Sequence, residues 1–391
     1  MLMIAETTRA AQRHRLLQIE QLEDRLLLAG NVTLGILVGG GPTADISLIG
    51  DADSNSIAIS TEGGELTVEG LDGTRLTPGA FNIPLRVLAG LIVDTDFDGV
   101  SASFFTFNSS VVIALNDIQV SLGAGNDNVA VSNLSLDDNL SIDTGVGSDN
   151  VLLSNVYVDD SITLATGDGN DMVNILQTTS DDGAWSIATG SGNDSVSIAE
   201  SLIDDDITIV AGTGNNQVTI SNSAIAGRLD ISAGSGSDEV LIEDNVFLSV
   251  SGASLGAGND QFVATGNMGL EGSFNAGAGD DAMLFANNQF VGLLDSDIQM
   301  MLGTGNDELV TAGNTFGNGL DILVVDMGEG NDYYVSGGNI FETPGFGNFD
   351  VDADGGAGYD ILVALDSQPS DQFDAPPMLT NWELIDPDFA A

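Results

Sequence analysis

Cysteine is absent from the 391-residue chain, which excludes disulfides and thiolate metal sites. Lysine is absent as well, and the seven basic residues, all arginine, face 59 Asp and Glu. Arg9, Arg13, Arg15 and Arg25 are balanced locally by Glu6, Glu20, Glu23 and Asp24, so residues 31 to 391 carry the whole net charge of −52. A body whose only bases are Arg75, Arg86 and Arg228 cannot neutralise a phosphate backbone, so nucleic acid and anionic membranes are excluded as partners. Divalent cations are its natural small partners. The one histidine, His14, lies in the amino-terminal segment, so a nucleophilic triad has no base in the body. No apolar run reaches the roughly 18 residues of a membrane-spanning helix. What the chain has in quantity is glycine, 50 residues, together with an apolar content of 42% that is too high for a disordered acidic tail. Composition therefore indicates a folded, turn-rich, β-rich chain long enough to bury a substantial core.

A repeat organises the sequence. The tract Gly-x-Gly-x-Asp begins at Gly123, Gly145, Gly167, Gly190, Gly212, Gly234, Gly256, Gly277, Gly303, Gly328 and Gly356, with Asn216 in the aspartate slot of the fifth copy. Most spacings are 21 to 23 residues, and they lengthen to 26, 25 and 28 after Gly277. Counted from the first glycine, positions +6 and +8 are apolar, as in Val151 with Leu153 or Val218 with Ile220, and so are +17 and +19, as in Ile162 with Leu164. Residues two apart share one side of a strand, so each unit holds at least two short strands with an inward face. Position +10 is Asn, Gln, Glu, Asp or Gly throughout, a column suited to left-handed turn geometry. A single unit cannot bury its apolar face alone, whereas stacked units bury it in a continuous column. The expected fold is all-β, a right-handed parallel β-helix or β-solenoid with about 22 residues per coil. Coils about 4.8 Å apart make a rod on the order of 50 Å long. A sandwich of antiparallel hairpins gives the register no physical cause.

The organisation expected along the chain has four parts. Residues 1–30 are an amphipathic segment (Leu16, Ile19, Leu22, Leu26) ended by Gly30, whose charges interrupt any ordinary secretory core. Residues 31–122 lack the glycine signature and read as an amino-terminal β-cap or irregular coils, with strand-like runs at 45–49, 56–60, 65–68 and 110–115 and a cluster of Phe104, Phe105 and Phe107. Residues 123–366 are the solenoid, with inserts such as 341–349 looping out. Residues 367–391, rich in proline, end the ladder and place Trp382 and Leu384 on the last coil. Trp185 falls on an inward position and reads as core.

Stacking places Asp127, Asp149, Asp171, Asp194, Asp238, Asp260, Asp281, Asp307, Asp332 and Asp360 one above another in a file. Two unit charges about 5 Å apart repel by roughly 3 kcal/mol at an effective dielectric near 20. With no lysine to neutralise the file, the options are bound cations or carboxyls that hold their protons. Ca²⁺ suits the first option, because it accepts six to eight oxygen ligands in flexible geometry and glycine turns offer carbonyls beside the aspartates. A purely structural turn, in which Asp or Asn caps backbone amides while glycine supplies positive φ, is the other reading, and Asn216 shows the turn has value by itself.

The tract resembles the haemolysin-type calcium-binding repeat of repeats-in-toxin proteins, Gly-Gly-x-Gly-x-Asp-x-apolar-x. Residues 355 to 363 match all nine positions, with Asp360 in the ligand slot and Leu362 in the apolar slot. The resemblance implies a parallel β-roll with calcium between turns and a ligand role for Asp360 first and the other file aspartates after it. Elsewhere the leading glycine is replaced, as by Leu122, Thr144 and Thr166, and the motif occurs once per coil instead of in tandem. At the other end, Leu22-Glu23-Asp24-Arg25-Leu26-Leu27-Leu28 is similar to the Leu-Glu-Pro-Arg-x-Leu-Leu segment near the start of many large exported bacterial proteins, with Asp24 in place of proline. That similarity implies a secreted or cell-surface destination.

The functional expectation is a non-enzymatic extracellular or cell-surface structural or adhesion solenoid that binds calcium at its turns, with a surface polysaccharide or a protein as partner. The alternative is a carbohydrate-active β-helix enzyme, a polysaccharide lyase or hydrolase. That chemistry needs a general base or a unique carboxylate pair at one place. Here the carboxylates are periodic, and Arg228 is the single basic residue of the repeats.

Overall fold

The computed structural model describes residues 30–38, 43–62, 65–82, 91–92, 104–107, 114–291, 296–317, 320–341, 350–365, 378–382 and 384–385. The amphipathic segment, the insert at 342–349 and the side chains of the Phe104 cluster lie outside the described residues. Among the described residues the chain is all-β, without a helix, and forms a parallel β-solenoid.

Each coil contributes to two parallel sheets. Sheet A stacks strands such as Leu140–Asp143, Ile162–Ala165, Trp185–Ala188, Ile207–Val210 and Leu229–Ser235 in direct register, Ile162 against Leu140 and Trp185, Trp185 against Ile207. Sheet B stacks Asn128–Leu136, Asn150–Val158, Met172–Leu176, Ser195–Ala199 and Gln217–Ser221, with Val129, Val151, Val173, Val196 and Val218 directly above one another. The sequence shows at least two strands per coil, and the structure has a third, short one: Thr179–Ser180, Leu202–Ile203, Ala224–Ile225 and Val246–Phe247 pair in parallel at a second corner.

Alternation along each strand sends one set of side chains inward, and the set stacks into continuous apolar columns. Val129, Val151, Val173, Val196, Val218, Val240 and Phe262 all expose 1% or less. Trp185 is buried as expected, and its indole N–H donates to Ser180 Oγ at 2.7 Å. Aromatic side chains take over toward the carboxyl end, where the Phe262, Phe274 and Phe285 rings sit 5.2 Å from one another and Phe290 stacks on Phe316 at 4.7 Å.

The amino-terminal cap consists of hairpins. Asn31–Val38 runs antiparallel to Thr43–Ile49, and Ser56–Glu62 antiparallel to Glu65–Gly70. One strand of each hairpin joins the solenoid in parallel, Thr43–Ile49 on Ala114–Ser121 and Ser56–Glu62 on Asn128–Leu136. At the other end, Trp382 packs near Tyr334 and donates to the Ala353 carbonyl, and Leu384 pairs with Ile361.

The close spacing of coils explains the glycines. A Cβ on Gly145 would sit 1.8 Å from the Gly123 carbonyl oxygen, and one on Gly147 would sit 1.5 Å from that of Gly125. Both residues also have positive φ, 96° and 149°. At the far side of sheet B, position +10 is left-handed in every copy from Asn133 to Gly338, including the unusual occupants Gln177 and Glu200.

Candidate functional site

All ten sequence-predicted aspartates lie in one file on the turn between sheet A and sheet B, and they point inward. Each exposes 3% or less. The two glycines that precede each aspartate shape the turn so that the carboxyl reaches back over the preceding coil. The amide of Asp127 donates to Oδ1 of Asp149 at 2.7 Å, that of Asp149 to Asp171 at 2.8 Å, and that of Asp171 to Asp194 at 2.9 Å. The chain of bonds continues from Asp238 through Asp260, Asp281, Asp307 and Asp332 to Asp360. Sequence reasoning missed its start. Asn55, in the cap, takes the next place in the file, and both its backbone and side-chain N–H groups donate to Oδ1 of Asp127.

The second carboxyl oxygen is the unusual one. In Asp127, Asp149, Asp171, Asp194, Asp238, Asp260, Asp281, Asp307 and Asp332, Oδ2 is buried and receives no hydrogen bond. An ionised carboxylate so placed is costly, because burial without a donor removes the solvation that favours charge. Desolvation accordingly raises the Asp307 carboxyl to about 7, against the partial relief of the Asp281 amide and with the added repulsion of Asp281 and Asp332. Burial likewise lifts Asp127, Asp281 and Asp332 to about 6. Asp149, Asp171 and Asp194 are also raised by desolvation, offset by their amide donors, while the hydroxyls of Thr144, Thr166 and Thr189 donate to the carbonyls of Thr166, Thr189 and Ala211 one coil onward. Those threonines occupy the position before the first glycine, where later coils carry Ala233, Leu255, Ala276, Leu302 and Met327.

Asn216 shows what the position asks for. Its Oδ1 accepts the Asp194 amide at 3.0 Å, and its own amide donates to Asp238 Oδ1 at 2.7 Å. Its Nδ2 donates to the carbonyls of Gly214 and Ala233, so a neutral side chain satisfies both ends.

Two further files complete the turns. On the outer side of the glycine turn, Asn170, Asn193 and Asn215 accept the amide of the residue one coil onward, each at 2.8 Å. Inside the opposite corner, Asn245, Asn267, Asn288, Asn314 and Asn339 form a buried ladder. Each of the first four Oδ1-to-amide links spans one coil, and each Nδ2 also reaches a backbone carbonyl, as Asn288 does to Ala264 at 2.8 Å. Sequence analysis singled out its left-handed neighbour at +10 and passed over the ladder itself.

Among the described residues no three acidic or histidine side chains converge on one point. Arg228, the single basic residue of the repeats, is exposed and pairs with Asp230 at 2.7 Å. Comparison with known protein families and with curated proteins finds no family and no individual protein that matches this chain.

Proposed function

We propose that the protein is a non-enzymatic structural element that works outside the cell, at the cell surface or in a matrix, as a stiff acidic spacer with an adhesive role. The observation that supports this reading is the parallel stacking of like residues from coil to coil. The aspartate file, with Asn216 in one slot, and the two sheets run from the cap to the last coil, so chemistry is distributed evenly instead of being gathered at one place. A spacer tolerates removal of whole coils. Excising residues 194–237 joins Asn193 to Asp238 and restores the turn sequence. The shortened chain is expected to fold, to be about 10 Å shorter in solution scattering, and to appear in the same extracellular or surface fraction as the full chain. Retention of the full-length chain inside the cell rejects the reading.

Calcium is a second reading, favoured by the hydrogen-bond-free Oδ2 atoms and by the haemolysin-type resemblance of the turns. The residues present offer an ion one or two carboxylates, with turn carbonyls for the remaining ligands. A ligand that binds only the folded chain raises its melting temperature. Melts in calcium and in chelator test this, and superimposed curves reject it.

A further inference from the structure

We propose that the outer face of sheet B is a self-association surface on which two copies of this chain pack side by side with their rods antiparallel.

The distribution of charge selects the face. Residues 123 to 365 hold 38 carboxylates and one arginine. Ten of the carboxylates are the inward file. The outward positions of sheet B, two residues apart along every strand from Asn128 to Val363, carry only three, Glu239, Glu243 and Glu308. On a chain of this charge, two copies can approach closely only where carboxylates do not oppose one another.

The same face carries an apolar stripe. Leu241, Val263, Leu284, Val310, Val335 and Val363 stand directly above one another in the parallel register. Each is partly exposed, and Leu241, Val263, Leu284 and Val310 each lie between two buried residues of the strand. Small side chains flank the middle of the stripe, at Ala282, Ala286 and Ala312.

The three glutamates fix the orientation. A two-fold axis between the Leu284 and Val310 coils sets Leu284 against the partner's Val310, Val263 against the partner's Val335, and Leu241 against the partner's Val363. Glu239 and Glu243 then meet the coil of Ile361, and Glu308 meets the coil of Ala282, none of which presents a carboxylate on this face. Parallel rods in register would bring Glu239 and Glu243 of both copies together. Six coils of five-residue strands cover about 400 Å² per copy, or about 800 Å² in all, at the low end of specific interfaces, so the dimer is weak and reversible.

Sedimentation equilibrium of the full chain across ionic strength tests the proposal. A monomer–dimer equilibrium is expected to tighten by about tenfold or more as the screening length falls from about 30 Å to about 3 Å. Val310→Glu is expected to abolish the dimer with an unchanged circular dichroism spectrum, and Thr219→Glu, on the same face beyond the paired coils, to leave it intact. Because the chain has no cysteine, Val263→Cys and Val335→Cys report orientation independently of either variant. Oxidation of a mixture of these two chains is expected to give more cross-linked product than oxidation of Val263→Cys alone. A monomer at every salt concentration, a dimer indifferent to Val310→Glu, or preferential cross-linking of Val263→Cys to itself overturns the proposal.

Discussion

The amide of Asp281 donates to Oδ1 of Asp307 on the next coil at 2.8 Å, while the other oxygen of Asp307 is buried with no donor. One half of the side chain is thus a turn-locking acceptor and the other half is a liability whenever it is charged. This division recurs along the file, and it gives the solenoid a definite response to pH and to substitution.

The carboxyls of Asp127, Asp281, Asp307 and Asp332 are raised above their ordinary value of 3.8 by burial, so the folded state favours their neutral form. Their contribution to stability is fully present below that ordinary value and is lost as pH rises through about 6 to 7. Thermal melts at constant ionic strength are expected to show a falling transition temperature over this window. Asp51, Asp280 and Asp354, whose carboxyls are lowered, act in the opposite sense and only at more acid pH. A transition temperature that rises from pH 5 to pH 8 contradicts this account.

Asp307→Asn imitates Asn216 and removes the charge without removing the acceptor. It is expected to stabilise the chain by about 1–3 kcal/mol at pH 8 and to change little near pH 4. Asp307→Ala instead leaves the Asp281 amide buried without a partner, at a cost of about 1–3 kcal/mol relative to Asp307→Asn. Denaturant titrations of the two variants at both pH values separate these effects.

Gly147→Ala tests the packing of the turns. The added Cβ would lie 1.5 Å from the Gly125 carbonyl oxygen at a φ of 149°, so the coils must part locally. A loss of about 3 kcal/mol or more is expected. Equal stability of variant and parent in urea means that the coils are farther apart than described.

Asn288→Ala interrupts the inner asparagine ladder. It removes the acceptor of the Asn267 amide and the donor to the Ala264 carbonyl, both fully buried. The expected cost is about 2–4 kcal/mol, with faster hydrogen exchange at the Asn267 amide as a local readout.

The solenoid was legible in the sequence because its cause is periodic. Val129 and its equivalents, the left-handed column from Asn133 to Gly338, and the aspartate file each recur at a fixed offset from the glycines, and stacking follows from burial alone. The inward aim of the aspartates was less visible. Alternation tells inside from outside along a strand, but Asp149 and its equivalents follow two glycines of positive φ, where that rule does not apply. The asparagine ladder was hidden because its position holds Leu134, Val156, Thr178, Ser201 and Ser223 before it becomes Asn245. The hairpins of the cap carry no repeat, so their strands were readable while their pairing, and the place of Asn55 at the head of the file, were not.

The two turn files point opposite ways along the axis. The Asp149 amide waits for the carboxyl of Asp171, one coil later, whereas the Ser148 amide is met at once by Asn126, one coil earlier. Each newly arrived winding therefore finds a prepared template behind it and completes the one it lands on. Construction from the amino-terminal hairpins outward leaves at any moment one unfinished rung, at the growing tip, which suits a polypeptide that emerges in that same direction as it is synthesised.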